Sequence, residues 1–89
     1  SPMTLSAVRK AGEIVALMRQ IVSCELIVAS QALELRSPAA ICPAARRLFE
    51  ALREVVPALD EDRSQTEDLE RATALVASGR LNALLREAV

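Results

Sequence analysis

One segment constrains this chain more than everything else in it. From Thr4 to Leu35 there is no proline and a single glycine, Gly12. Uninterrupted, those roughly 30 residues make about 48 Å of helix. Between Ile14 and Leu35 the apolar residues do not form one stripe. Ile14, Val15, Leu17, Met18, Ile21, Val22, Cys24, Leu26, Ile27, Val28, Ala29, Ala32 and Leu33 occupy nearly the whole circumference. A helix that is apolar all round is a helix buried all round. The rest of the 89 residues is too little to cover it. The chain therefore reads as a piece of something larger, and its function is to be sought in what it packs against.

The bulk of the sequence narrows the partners. The length allows one small unit, and chains of this size bury only about 60–65% of their unfolded surface on folding. A net charge of −1 leaves no basic footprint, and a lone Phe49 without Trp or Tyr leaves no stacking platform, which argues against nucleic acid. Residues 14–33 are long enough to cross a bilayer, but Arg19, Gln20, Glu25 and Gln31 interrupt them. Each mid-membrane charge costs about 2.5–3.5 kcal/mol on insertion scales, so no membrane span is expected. The first residues lack the basic segment, apolar core and cleavage site of a secretory signal. Cys24 and Cys42 make no disulfide framework; they read as small buried hydrophobes in a reducing, cytoplasmic setting.

The class is all-α: one very long buried helix followed by three shorter ones, forming a single segment over 1–89. The long helix is expected over about 4–35, capped by Thr4 or Ser6 and stopped by Arg36-Ser37-Pro38, since the residue before proline disfavours helix. Pro43 suits the first turn of a second helix, about 43–56, with Ala44, Leu48, Leu52 and Val55 inward and Phe49 and Val56 widening that face. Arg46, Arg47, Glu50, Arg53 and Glu54 fall on its solvated side. After the polar turn Asp60-Glu61-Asp62-Arg63, Ser64-Gln65-Thr66-Glu67 has the pattern of a capping box. A third helix follows over about 66–78, with Leu69, Ala72, Leu75 and Val76 inward and Gly79 as its C-terminal cap. A short terminal helix over about 80–88 carries Leu81, Leu84 and Leu85, with Val89 at its end. No strand-like alternation and no internal repeat occurs.

Catalytic chemistry is thin. The chain has no His and no Tyr, so general bases reduce to carboxylates. Two cysteines 18 positions apart make a poor zinc site, and Gly12 and Gly79 stand too far apart for a phosphate loop. Asp60, Glu61 and Asp62 lack the ligand spacing and central glycine of a calcium loop. Ala77-Ser78-Gly79 is the tripeptide that cyclises to a methylidene-imidazolone electrophile in some lyases, but here it reads as the end of a helix. No residue is assigned as catalytic, cofactor-binding or metal-binding. Glu25 is the one polar residue out of place. At about 100° per residue, Arg9, Glu13, Arg19, Gln20, Ser23, Ser30, Gln31 and Glu34 cluster on one side of the long helix. Glu25 lies opposite, among Met18, Ile21, Val22, Ala29 and Ala32. A carboxylate there is expected to be buried and matched by a cation or a hydrogen-bond donor, most readily an Arg of this chain, of a symmetry-related copy or of a larger body around it.

These residues resemble a known family. Glu25-Leu26-Ile27-Val28-Ala29-Ser30-Gln31-Ala32-Leu33-Glu34-Leu35-Arg36 is similar to the late helix of the histidine and aromatic amino-acid ammonia-lyases, which reads like I-E-L-L-A-A-A-Q-A-L-D-L-R. Val56-Pro57-Ala58-Leu59-Asp60-Glu61-Asp62-Arg63 resembles the family's V-P-F-L-D-E-D-R, and Leu75-Val76-Ala77-Ser78-Gly79-Arg80-Leu81 its C-terminal L-V-R-S-G-x-L. The three segments come in the family's order and together span most of the chain. They make Glu25, Arg36, Asp62 and Arg63 its candidate structural positions.

The resemblance implies the C-terminal helical portion of a large, mostly helical homotetramer. Its electrophile would form from an Ala-Ser-Gly triad in the amino-terminal part, and its tyrosine base and Gln-Glu-Asp-His segment would precede this chain. No family catalytic position maps onto residues 1–89, so this chain alone is expected to be inactive. Its expected partners are the remainder of the lyase polypeptide and symmetry-related copies, with no nucleic acid and no membrane. A 2,3-aminomutase, which uses the same electrophile, and a free-standing helical oligomerisation module stay open as alternatives.

Overall fold

The computed structural model describes residues 2–36, 41–59 and 64–88, and among these it holds four helices and no strand. α1 runs from Pro2 to Arg36, α2 from Pro43 to Val55, α3 from Thr66 to Ser78 and α4 from Arg80 to Ala88. Thirty-five residues at about 1.5 Å each account for the longest dimension, 53 Å, so α1 alone sets the length of the molecule. Pro2 fits its first turn, where the missing N–H has no intrahelical partner to lose.

The short helices fold back beside the middle and C-terminal half of α1. At the start of α2, Cys42 has an extended backbone and its carbonyl accepts from Arg46 N at 3.0 Å, with Pro43 next to it. The helix stops at Val55. Val56 is extended (φ −126°, ψ 101°) because Pro57 follows, yet its N–H still donates to Leu52 O at 2.8 Å. α3 begins without the capping box. Gln65 holds the cap position with no side-chain cap bond, and Ser64 Oγ accepts instead from Thr66 N at 3.5 Å. A capping box needs Ser64 at the cap itself, with its hydroxyl reaching three residues on; here the helix starts one residue too late. Glu67 is left to pair with Arg71 at 3.5 Å, an exposed i,i+4 contact of little weight.

α3 ends as a glycine-capped helix. Gly79 sits in the left-handed region (φ 81°), and its carbonyl accepts from Ala83 N at 3.1 Å, which starts α4 at once. Ser78 Oγ donates to Leu75 O at 2.6 Å and accepts from Arg80 N at 3.2 Å. Ala77-Ser78-Gly79 is thus the joint between two helices.

The core is small. Leu52 and Val56 from the end of α2 meet Ala72 and Leu75 of α3, with Leu26 and Ile27 of α1, Val55 and Leu81 packed around them. Asp68 is buried beside this core on the first turn of α3, where the helix dipole favours a carboxylate. Arg80 holds Glu54 through two contacts, 2.9 and 3.3 Å, and so ties α4 to α2. The shape is open for the mass. The radius of gyration is 15.6 Å, against about 12 Å for a compact chain of this length. The accessible surface of 6522 Å² is roughly a quarter more than size scaling gives a monomer of this mass.

Candidate functional site

The extra surface lies along α1, which its short neighbours cover on the polar side and leave open along the apolar arc. The fully buried residues of α1 are Ser23 (0% exposed) and Ser30 (5%). Both belong to the side on which the polar residues of the helix cluster. Seven residues apart, they stand on one face two turns from each other. Their small side chains let the short helices approach closely. Ser23 Oγ donates to Arg19 O of its own helix at 2.6 Å, so burying it strands no polar group. A serine satisfied in this way packs like an alanine.

Gln31 and Glu34, of the same polar side, continue this inner face. Gln31 Nε2 donates to Leu59 O and its Oε1 accepts from Leu59 N, both at 3.1 Å. The side-chain amide thus pairs with a backbone unit as a neighbouring strand would, and pins the segment after α2 to α1. Glu34 accepts from Arg53 Nε at 3.1 Å. Arg53 also donates from Nη1 to Val56 O at 3.1 Å and lies 5.2 Å over the Phe49 ring. Its Nη2 is buried without a hydrogen-bond partner among the described residues. These groups border a cleft of about 320 Å³ between α1, α2 and the start of α3, lined mainly by apolar side chains. Removing the amide leaves both Leu59 backbone groups unpaired. Gln31→Ala is expected to cost about 1–3 kcal/mol in urea unfolding, whereas Gln20→Ala, which breaks no such pair, should stay within about 0.5 kcal/mol of wild type.

The apolar arc of α1 is what remains open. Ile14, Leu17, Met18 and Ile21 are each more than half exposed, and Val28 is 68% exposed. Met3 and Leu35 extend the face toward both ends of the helix, and Leu5 and Val8 are exposed on its other sides. Soluble monomers rarely leave more than a few hundred Å² of contiguous apolar surface uncovered.

The structure shows where the singled-out residues of the sequence lie. Glu25 is not buried within this chain: it lies exposed on the open arc, with no cation or hydrogen-bond donor partnering it among the described residues. Within this chain the short helices cover α1 on its polar side, over Ser23 and Ser30, and leave the arc that carries Glu25 open. Cys24 and Cys42 are exposed free thiols, not buried hydrophobes, since both lie away from the serine face and the core. Arg36 is exposed at the last turn of α1, where a cation suits the helix dipole. Asp62 and Arg63 lie outside the described residues. Among the described residues no group of three or more His, Cys, Asp or Glu could hold a metal ion, and no helix is long and apolar enough to cross a membrane.

What this arrangement offers chemically is surface: an inner face that holds the short helices and an outer face without cover. The comparisons with known proteins set this chain beside longer ones. The family model described as aromatic amino acid lyase matches residues 1–54. A protein named histidine ammonia-lyase from Symbiobacterium thermophilum is 40% identical over 79 residues, covering 89% of this chain and 16% of its own length. Proteins of the same name from Anaeromyxobacter sp. (strain K) and Natranaerobius thermophilus are 44% and 37% identical, over 89% and 91% of this chain and 16% of their own length. The chain therefore spans about 16% of the length of the curated relatives it matches. No solved structure matches it. The family model covers more than half of the residues, including the whole of the long helix, and the chain belongs to the aromatic amino acid lyase family.

Proposed function

We propose that this chain is the C-terminal helical portion of an ammonia-lyase acting on histidine or an aromatic amino acid, and that its role is core packing and assembly, not catalysis. The observation that carries this reading is the open apolar arc of α1 on a chain that spans about 16% of its relatives' length. An arc of that extent needs a larger body, and the relatives have one. The names of those relatives favour histidine as the substrate, and favour elimination of ammonia over 2,3-amino migration. The partners are the rest of the lyase polypeptide and symmetry-related copies, in a cytoplasmic homotetramer.

The methylidene-imidazolone that the family resemblance implies belongs to that larger body. The triad at Ala77-Ser78-Gly79 does not suit cyclisation. Ser78 still closes a regular helix, and its hydroxyl bridges Leu75 O and Arg80 N. No step of the reaction is assigned to residues of this chain.

The test is a chimera of the Symbiobacterium thermophilum enzyme in which the segment matched by this chain is replaced by it. The chimera is expected to assemble and to form urocanate, read by its absorbance. The same enzyme without the segment is expected to fail in both, and the chain alone to give no turnover. Urocanate formed by the purified chain alone, or full assembly and activity of the truncated enzyme, would overturn the reading.

A further inference from the structure

We propose that the open seam of α1 is built for a helix of different sequence, apolar along one face and bearing an arginine or lysine opposite Glu25, and that two copies of this chain do not pair in register along it. The seam is defined by spacing. Ile14, Met18, Ile21, Glu25, Val28, Ala32 and Leu35 follow one another at alternating intervals of four and three, and all are exposed. That is the repeat by which one helix presents a continuous line of side chains to another. Six of the seven are apolar. The seventh, Glu25, stands at the middle, eleven residues after Ile14 and ten before Leu35.

The central position decides the partner. If two copies align in parallel, Glu25 faces Glu25. If they align antiparallel with the seam from Ile14 to Leu35 overlapped end to end, the midpoint again faces the midpoint, and the two carboxylates meet between Ile21 and Val28. Desolvating two like charges in an apolar seam is strongly unfavourable. The remaining cations of α1, Arg9, Lys10, Arg19 and Arg36, all lie off the seam, so an in-register copy supplies nothing to answer Glu25.

A cation on a different helix removes the conflict, and the surface beside Glu25 has room for one. Cys24, Glu25, Val28, Ala29 and Ala32 line an open, almost wholly apolar groove of about 350 Å³. The two alanines keep its wall low. A long basic side chain can lay its methylenes on Ala29 and Ala32 and bring its charged end to the carboxylate. Glu25 then sets register and partner in the way a single polar seam residue does in paired helices. The seam of this chain, and not the lyase reading, carries the proposal, and its test uses the chain alone, so the two fail separately.

The experiment compares the full chain with Glu25→Leu and Glu25→Arg by sedimentation and by native mass spectrometry of mixtures. Because Glu25 is exposed, all three are expected to keep the same helicity by circular dichroism. Glu25→Leu should self-associate about ten-fold or more tightly than wild type, since a repulsion becomes an apolar contact. Wild type mixed with Glu25→Arg should form mixed species well above the statistical proportion. Both results are required. Equal or weaker association of Glu25→Leu overturns the proposal; the weaker case arises if a shifted copy answers Glu25 with Arg36. A statistical mixture of wild type and Glu25→Arg overturns it too.

Discussion

The purified chain is expected to sediment as more than a monomer at tens of micromolar, with a size that grows with concentration. The driving force is the uncovered arc of α1, where five large apolar residues between Ile14 and Val28 are each more than half exposed. Burial of apolar surface is worth about 25 cal/mol per Å², so even a few hundred Å² taken out of water by a neighbouring copy contributes several kcal/mol toward association. Because Glu25 opposes in-register pairing, that association is loose and spreads over the wider arc, through Val15, Leu17 and Val22 as well as the seam. Ile14→Glu, Ile21→Glu and Val28→Glu together should return the chain to a monomer without loss of helicity, since none of the three belongs to the core formed by Leu52, Val56, Ala72 and Leu75. Light scattering that shows a monodisperse wild-type monomer at that concentration would mean the arc needs no cover.

The helical class and the long first helix are legible in the sequence because they rest on local facts: no proline over 32 residues, proline at the start of α2, glycine at the end of α3. The glycine conformation is legible for the same reason, since the left-handed cap at Gly79 lets α4 start immediately. The faces of α1 are not legible. A helix apolar nearly all round has almost no amphipathic direction, so charges become the only guide, and Arg19, Gln20 and Glu34 draw the solvated side onto Ser23 and Ser30. What decides packing is size, not polarity: Ser23, which bonds its own backbone, and Ser30 let a neighbouring helix come close. The Gln31–Leu59 pair spans 28 residues and has no local signature. Arg53 reads as a surface charge because its neighbours in α2 are charged. Its position just before Val56 instead carries it under the chain, to Glu34 and to the Val56 carbonyl.

Ser23→Leu separates the two possible orientations of α1 with one substitution. If the helix packed on its own short helices through the apolar arc, position 23 would face water, and leucine there would be neutral or would add buried surface. In the serine-faced packing Ser23 is 0% exposed, at a close approach between α1 and its neighbours. Leucine would force a larger, branched side chain into a space that fits a serine, and overpacking of this kind costs about 1–3 kcal/mol. In a chain of this size each kcal/mol moves the melting temperature by about 4–8 °C. The measurement is thermal unfolding of Ser23→Leu and wild type by circular dichroism at one matched concentration. A fall of several degrees is the predicted result; a melting temperature equal to or above that of wild type would contradict the serine-faced packing of α1, and with it the claim that its apolar arc is left for partners.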